Sequence, residues 1–175
     1  MAISLYDVTV AGYLQTLPAV AAFLDKGAAH YAASGGDVNE LVGTRLYPDM
    51  LPLAFQIASV QHHSLHAVQA ATTTGVFTPP GALPADIDYA GLQAMVADTI
   101  AALKAITPEA VNAAQGNDVV FKLGDMQMPF TAEGFLLSFS IPNFHFHATT
   151  AYDILRSKGV KLGKRDYMGK LRMKG

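Results

Sequence analysis

The sequence predicts a mainly α protein, a four-helix bundle with a small β-hairpin ahead of its last helix. Four long segments carry apolar residues at three-to-four spacing and are bounded by capping residues, glycine or proline. One short stretch, Val119 to Phe130, instead places strand-forming residues on both sides of a Gly-Asp dipeptide. Hydrophobic residues make up 51% of the 175 and charged ones 15%, which is enough to bury one substantial core and too apolar for a disordered chain. Residues 1–175 are therefore read as a single domain, with 160–175 as a basic C-terminal tail.

The elements follow in order. Ser4 and Asp7 have capping-box spacing, and the Ala-, Leu- and Val-rich run from Leu5 to about Ala33 is a first helix that Ser34-Gly35-Gly36 ends. Pro18 lies inside it, so a kink or break is expected there. Asp37 and Glu40 mark a short helical turn. A second helix is expected from near Pro48, with Leu53, Ile57, Val60, Ser64 and Val68 along one side, stopping before Gly75. Thr78 to Ala85 holds three prolines and a glycine and is a loop. Asp86 or Asp88 caps a third helix carrying Leu92, Met95, Val96, Ile100 and Leu103, and Thr107-Pro108-Glu109 opens a short one. Val119 to Leu123 and Met126 to Phe130 form the hairpin. Thr131 and Glu133 then open the last long helix, which runs to about Ser157 and should bend at Pro142.

Composition narrows the function classes. Zero cysteines exclude disulfides, thiolate metal sites, iron–sulfur clusters and cysteine nucleophiles, and fit a reducing compartment, so a cytoplasmic location is expected. The start, MAISLYDVTV, has no positive n-region, and no run of eighteen uncharged apolar residues reads as a membrane span, so no membrane partner is expected. Residues 160–175 carry six basic side chains against Asp166, a balance of +5, which leaves −7 on the rest of a chain whose total is −2. Such a tail folds back on its own acidic body or is solvated. Without a basic, aromatic-interleaved face elsewhere, nucleic acid is not an expected partner. The sequence holds no G-x-S-x-G, H-E-x-x-H, P-loop or G-x-G-x-x-G, and no paired carboxylates at helical spacing on the long helices. A homodimer is expected because symmetric dimers are the commonest oligomers.

Five of the six histidines fall in two helical clusters, His62, His63 and His66, and His145 and His147. Without cysteine, imidazole and carboxylate are the natural ligands for a divalent transition metal, and a bundle site needs them projected inward from facing helices. Each residue advances roughly 100° around a helix. Phe139, Asn143, Phe146, His147, Thr150 and Ile154 then share one stripe of the last helix, and His145 points away from it. Gln56, Val60, His63 and Ala67 share a direction on the second helix, with His66 joining His63 from the flank. His62 and His66, four apart, form a competing pair, and the spacing does not choose between the two. The candidate metal ligands are His63, His66 and His147. The candidate ligand-binding residues are Gln56, Asn143 and Tyr152, with Tyr152 lining a pocket mouth or covering the tail. The same Asn, Thr, Gln and His side chains equally suit an internal hydrogen-bonded network.

The run Ile141-Pro142-Asn143-Phe144-His145-Phe146-His147-Ala148-Thr149-Thr150-Ala151-Tyr152-Asp153-Ile154-Leu155-Arg156 and its continuation Gly159 to Gly169, with GKRDYMG at its end, resemble the C-terminal signature of an uncharacterised bacterial and fungal family, a domain of unknown function. Leu5-Tyr6-Asp7, the Pro48 to Gln56 segment and Phe121-Lys122-Leu123-Gly124 extend the resemblance over essentially the full chain. That family is similar to the DinB/YfiT-like superfamily of four-helix bundles. The resemblance implies a DinB-like bundle in which three histidines hold one divalent metal (zinc, nickel, iron or manganese), one from the second helix and two from an H-x-x-x-H pair on the last. Characterised superfamily members include thiol-dependent S-transferases and maleylpyruvate isomerases, whose metal acts as a Lewis acid. This chain has Asn143-x-x-x-His147 where that pair is expected.

Two functions are therefore expected to compete. In one, a polar His/Asn pocket binds a divalent metal or a small molecule and supports metal-dependent transfer or hydrolysis. In the other, the chain is a non-catalytic ligand-binding or interaction protein with a degenerate metal site.

Overall fold

The computed structural model describes residues 3–174. Helix α1, Leu5–Ser34, starts under a capping box in which Ser4 accepts from the Asp7 amide and Asp7 accepts from the Ser4 amide. It is interrupted at Thr9, whose backbone leaves helical geometry, and runs unbroken through Pro18 to a left-handed Gly35. The expected break at Pro18 is thus displaced by nine residues. Pro18 sits on the exposed face, where helix curvature already lengthens the hydrogen bonds that a proline disturbs. By length and composition α1 could cross a membrane, but half of its most apolar stretch is buried against the other helices, as in a core helix.

A short 3₁₀ turn, Val38–Leu41, follows. Pro48 lies in the loop beyond it, and helix α2 (residues 53–74) begins instead after Pro52. The difference arises because Leu53 and Ala54 donate their amides to Thr44 and Val42 carbonyls, which ties the preceding segment into a loop. α2 is not a uniform α-helix. It passes from α-helical Leu53–Gln61 through a π turn, His62–His66, and a second π turn, Ala70–Thr74, to left-handed Gly75. Helix α3, Tyr89–Lys104, is capped by Asp88, which accepts from the Gly91 amide at 2.7 Å. Thr107 caps the short α4, Pro108–Ala113. Helix α5 (residues 132–157) opens at Thr131, passes through a π turn at Phe135–Ser140 and continues as Ile141–Ser157. The π turn ends just before Pro142, and this is where the expected distortion is absorbed. Helix α6, Lys164–Met168, closes the chain.

In the bundle α2 packs most closely on α5, α1 on α3, and α2 on α3, with α1 also meeting α5. The core between them includes Tyr13, Leu17, Phe23, Leu53, Ile57, Leu92, Phe144 and Ile154, each at most 1% exposed. Strand β2, Asp118–Leu123, pairs antiparallel with β3, Met126–Thr131, through the two-residue turn Gly124-Asp125. A strand not expected from the sequence, β1, Val76–Phe77, adds parallel to β2, so the hairpin is part of a three-stranded sheet. Two residues between a glycine and a proline-rich loop leave no readable strand pattern. The sheet matters to the site because it presses Phe77 and Phe121 against the histidine end of α2 and α5.

The basic tail folds back. α6 lies on α1, where Asp166 pairs with Lys26 at 2.6 Å and Gln15 donates to the Met168 carbonyl at 3.0 Å. Lys26 is half exposed, so the pair contributes at most about 1 kcal/mol.

Candidate functional site

The site lies where the α-helical start of α2 and its first π turn face α5. His147 Nδ1 lies 2.7 Å from Gln56 Oε1, and Gln56 in turn donates its Nε2 to the Leu51 carbonyl at 2.8 Å. Gln56 is 2% exposed, and its amide is orientated by both bonds. An amide oxygen only accepts, so His147 carries its hydrogen on Nδ1 and leaves Nε2 bare. The His63 ring lies against that of His147, with centroids 5.7 Å apart and planes 12° from parallel. His63 is 7% exposed, and its buried Nδ1 has no partner among the described residues.

Backbone bonding fixes how these helices face one another. Ser140, at the end of the α5 π turn, donates its hydroxyl to the His63 carbonyl at 2.6 Å, and Tyr13 of α1 donates to Ser140 Oγ at 3.4 Å. All three groups are buried. Burial raises the Tyr13 phenol well above its usual range, an effect that its bond to Ser140 opposes.

Aromatic rings enclose the centre. Phe139 and Phe77 flank His63 at 5.8 and 5.5 Å, and Phe55 and Phe146 flank His147 at 5.8 and 5.3 Å. In these surroundings a charged imidazolium is costly. Burial, reinforced by His62 and His147, pushes His63 down to about 3, and burial pushes His147 down to about 4. Both rings are therefore neutral at physiological pH, the form in which imidazole binds metals and accepts hydrogen bonds.

The remaining sequence candidates are placed elsewhere. His66 has no ring contact with His63 or His147 among the described residues. It approaches His62 instead, with 3.1 Å between the two Nδ1 atoms. Within the π turn His62 lies edge-on to both neighbours, 5.4 Å from His63 and 5.3 Å from His66, but His63 stacks on His147 of α5 while His62 and His66 line the side towards the loop after β1. Asn143 donates its Nδ2 to the Phe139 carbonyl at 2.7 Å, one turn back on its own helix. Tyr152 covers the tail, edge-on to Phe23 and Tyr167 at 6.2 Å each, and takes no part in the histidine centre. His145 is exposed and bonds Tyr167, as its position off the stripe predicts.

The donor set does not fit the three-histidine metal that the resemblance implies. Two neutral imidazoles lie nearly parallel, the third position is an asparagine whose Nδ2 is tied to its own backbone, and no group of three or more His, Asp or Glu side chains among the described residues has metal-holding geometry. Sequence reasoning also missed Ser140, Phe55 and Thr78. Only Ser140 left a signal, as a small polar residue between apolar neighbours one turn before the histidines.

The family model described as "Domain of unknown function (DUF1993)" matches residues 5–168. No curated protein matches the chain. Among solved structures, the crystal structure of a DinB family member protein from Shewanella denitrificans is similar to it, with 27% identity, a TM-score of 0.81, and coverage of 98% of this chain and 95% of that one. Its likeness agrees with the mainly α, DinB-like bundle described above. With the family model spanning nearly the whole fold, the chain belongs to the DUF1993 family.

Proposed function

We propose that this protein is a non-catalytic ligand-binding or interaction member of the DinB-like bundles, in which His63, His147 and Gln56 form an internal polar network in place of a metal centre. The observation that carries this reading is the asparagine at the third ligand position. Its Nδ2 is tied to the Phe139 carbonyl, so it offers only a neutral amide oxygen, a weak ligand beside an imidazole, while Gln56 takes the Nδ1 hydrogen of His147. Two imidazoles and no carboxylate make a poor cage for zinc or nickel, which take three or four strong protein donors.

A second reading is favoured by one specific atom. A buried nitrogen without a partner costs about 1–3 kcal/mol, and His63 Nδ1 is such a nitrogen. With His147 Nε2 it offers two neutral donors, so a divalent ion completed by water or a small molecule would satisfy both.

Elemental analysis of untagged protein purified without added metal, beside its His147→Ala variant, separates the readings. The polar-network reading expects no stoichiometric zinc, nickel, iron or manganese in either protein. It also expects the variant to lose about 1–3 kcal/mol of stability by leaving Gln56 unpaired. About one metal per chain in the parent, lost in a folded variant, would overturn it in favour of the second reading.

A further inference from the structure

Beside His63, which stacks on His147 of α5, the same π turn presents a second histidine pair to the loop after β1. His62 Nε2 lies 2.7 Å from the Thr78 carbonyl oxygen, and His62 Nδ1 lies 3.1 Å from His66 Nδ1. A carbonyl oxygen only accepts, so His62 Nε2 carries a hydrogen. His62 is 8% exposed, packs against the Phe77 ring at 4.2 Å and has no carboxylate partner, so its ring is neutral and its Nδ1 is a bare lone pair. The 3.1 Å contact then requires His66 to donate from Nδ1. A neutral His66 with its hydrogen on Nδ1 presents Nε2 as an open acceptor. Thr78 thus sets the tautomer of His62, and His62 sets that of His66, as a positioned second group does behind many functional histidines.

The two rings line a cleft of about 360 Å³ whose opposite wall is the loop from Thr78 to Leu83. That volume falls within the range of small-molecule sites. Pro79, Pro80, Ala58 and Leu83 give it apolar faces, and no Asp, Glu, Lys or Arg lines it. An anion would meet a lone pair and no counter-charge. A cation would find no carboxylate.

We propose that this cleft binds a small uncharged molecule with an apolar body and one hydroxyl or N–H group, which donates its hydrogen to His66 Nε2. The cleft adjoins the His63–His147 centre through the His62–His63 ring contact of 5.4 Å, but neither His63 nor His147 lines it. Long-range ¹H–¹⁵N correlation of the histidine rings in the full-length protein at neutral pH tests the first half. Hydrogens on His62 Nε2 and His66 Nδ1 are expected, and a hydrogen on His66 Nε2 would overturn the assignment. Titration with phenol and with indole tests the second half. At least one should shift the His66 Nε2 resonance and the Ala82 amide saturably, and His66→Leu, at an exposed position that tolerates the change, should weaken that binding about tenfold. Failure of both probes to shift these signals, unchanged affinity in His66→Leu, or equally tight binding of benzoate would each refute the proposal.

Discussion

Acidification should destabilise this protein well before its carboxylates protonate, because three buried or partly buried imidazoles are neutral in the fold. An unfolded histidine has a pKa of about 6.5. In the fold His62 is pushed down to about 4, His63 to about 3 and His147 to about 4, with burial the largest cause for each. Below pH 6.5 the unfolded chain therefore takes up protons that the folded chain refuses. Stability is fully present above that pH and falls as the pH drops, until the folded rings themselves titrate near pH 4 to 3. At pH 5 each ring has lost about 1.5 pH units at about 1.4 kcal/mol per unit, or about 2 kcal/mol. Allowing less for the partly buried His147, stability should fall by roughly 5 kcal/mol between pH 7 and pH 5. For a chain of this length that lowers Tm by roughly 10–20 °C. The lowered carboxyls of Asp7, Glu133 and Asp166 act only further down the pH scale, so this window belongs to the histidines. Urea unfolding in half-unit pH steps should give a slope of about three protons or somewhat more, since burial also lowers His66 and His145, and His147→Gln should reduce it by about one. A flat profile between pH 7 and pH 5 would show that the rings are charged or ion-paired in the fold, and would refute the argument.

Two further perturbations test how the site is held. Ser140→Ala should cost about 2–3 kcal/mol in chemical denaturation, because it strands the Tyr13 hydroxyl and removes the bond to the His63 carbonyl. Adding Tyr13→Phe should restore part of that loss, and an additive double mutant would show that the three groups are not coupled. Gly27→Ala, normally favourable inside a helix, should instead destabilise by about 1–2 kcal/mol, since its methyl would overlap the Tyr89 hydroxyl and crowd Leu155. Tyr89 cannot withdraw cheaply, because its hydroxyl is bonded to the Leu24 carbonyl at 2.8 Å. An increase in Tm would refute this.

Helix existence was legible because caps and apolar spacing are local. Ser4, Thr107 and Thr131 cap where the sequence places them, and of the two candidates Asp86 and Asp88 it is Asp88 that caps α3. What was not legible depended on partners far along the chain. Pro48 looks like a helix start, and only the Val42 and Thr44 carbonyls explain why the helix waits for Leu53. Thr78 sits in a proline-rich loop, and nothing in its neighbours announces that its carbonyl will reach back sixteen residues to His62. Tyr152 had two readings, and the tail contact through Tyr167 decides between them.

The histidines show a more general reason why a helical wheel falls short. A wheel assumes one angular step throughout, and that assumption correctly brings Gln56, His63 and His147 together. It fails within the His62–His66 turn, where hydrogen bonds reach one residue further and the backbone widens. Within that turn the adjacent His62 and His63 rings stay in edge contact, 5.4 Å apart and both against Phe77, yet His62 bonds the loop after β1 and His63 stacks on His147 of α5. The facing helix carries its own π turn, Phe135–Ser140, and the two distortions are joined where Ser140 bonds the His63 carbonyl. Each π turn gives up good helical geometry, so two of them meeting at the same histidines need a common compensation. The buried Tyr13–Ser140–His63 chain supplies it from within the protein. The distortion therefore does not require a metal to explain it, and the bare His63 and His66 nitrogens are what remain available to a ligand.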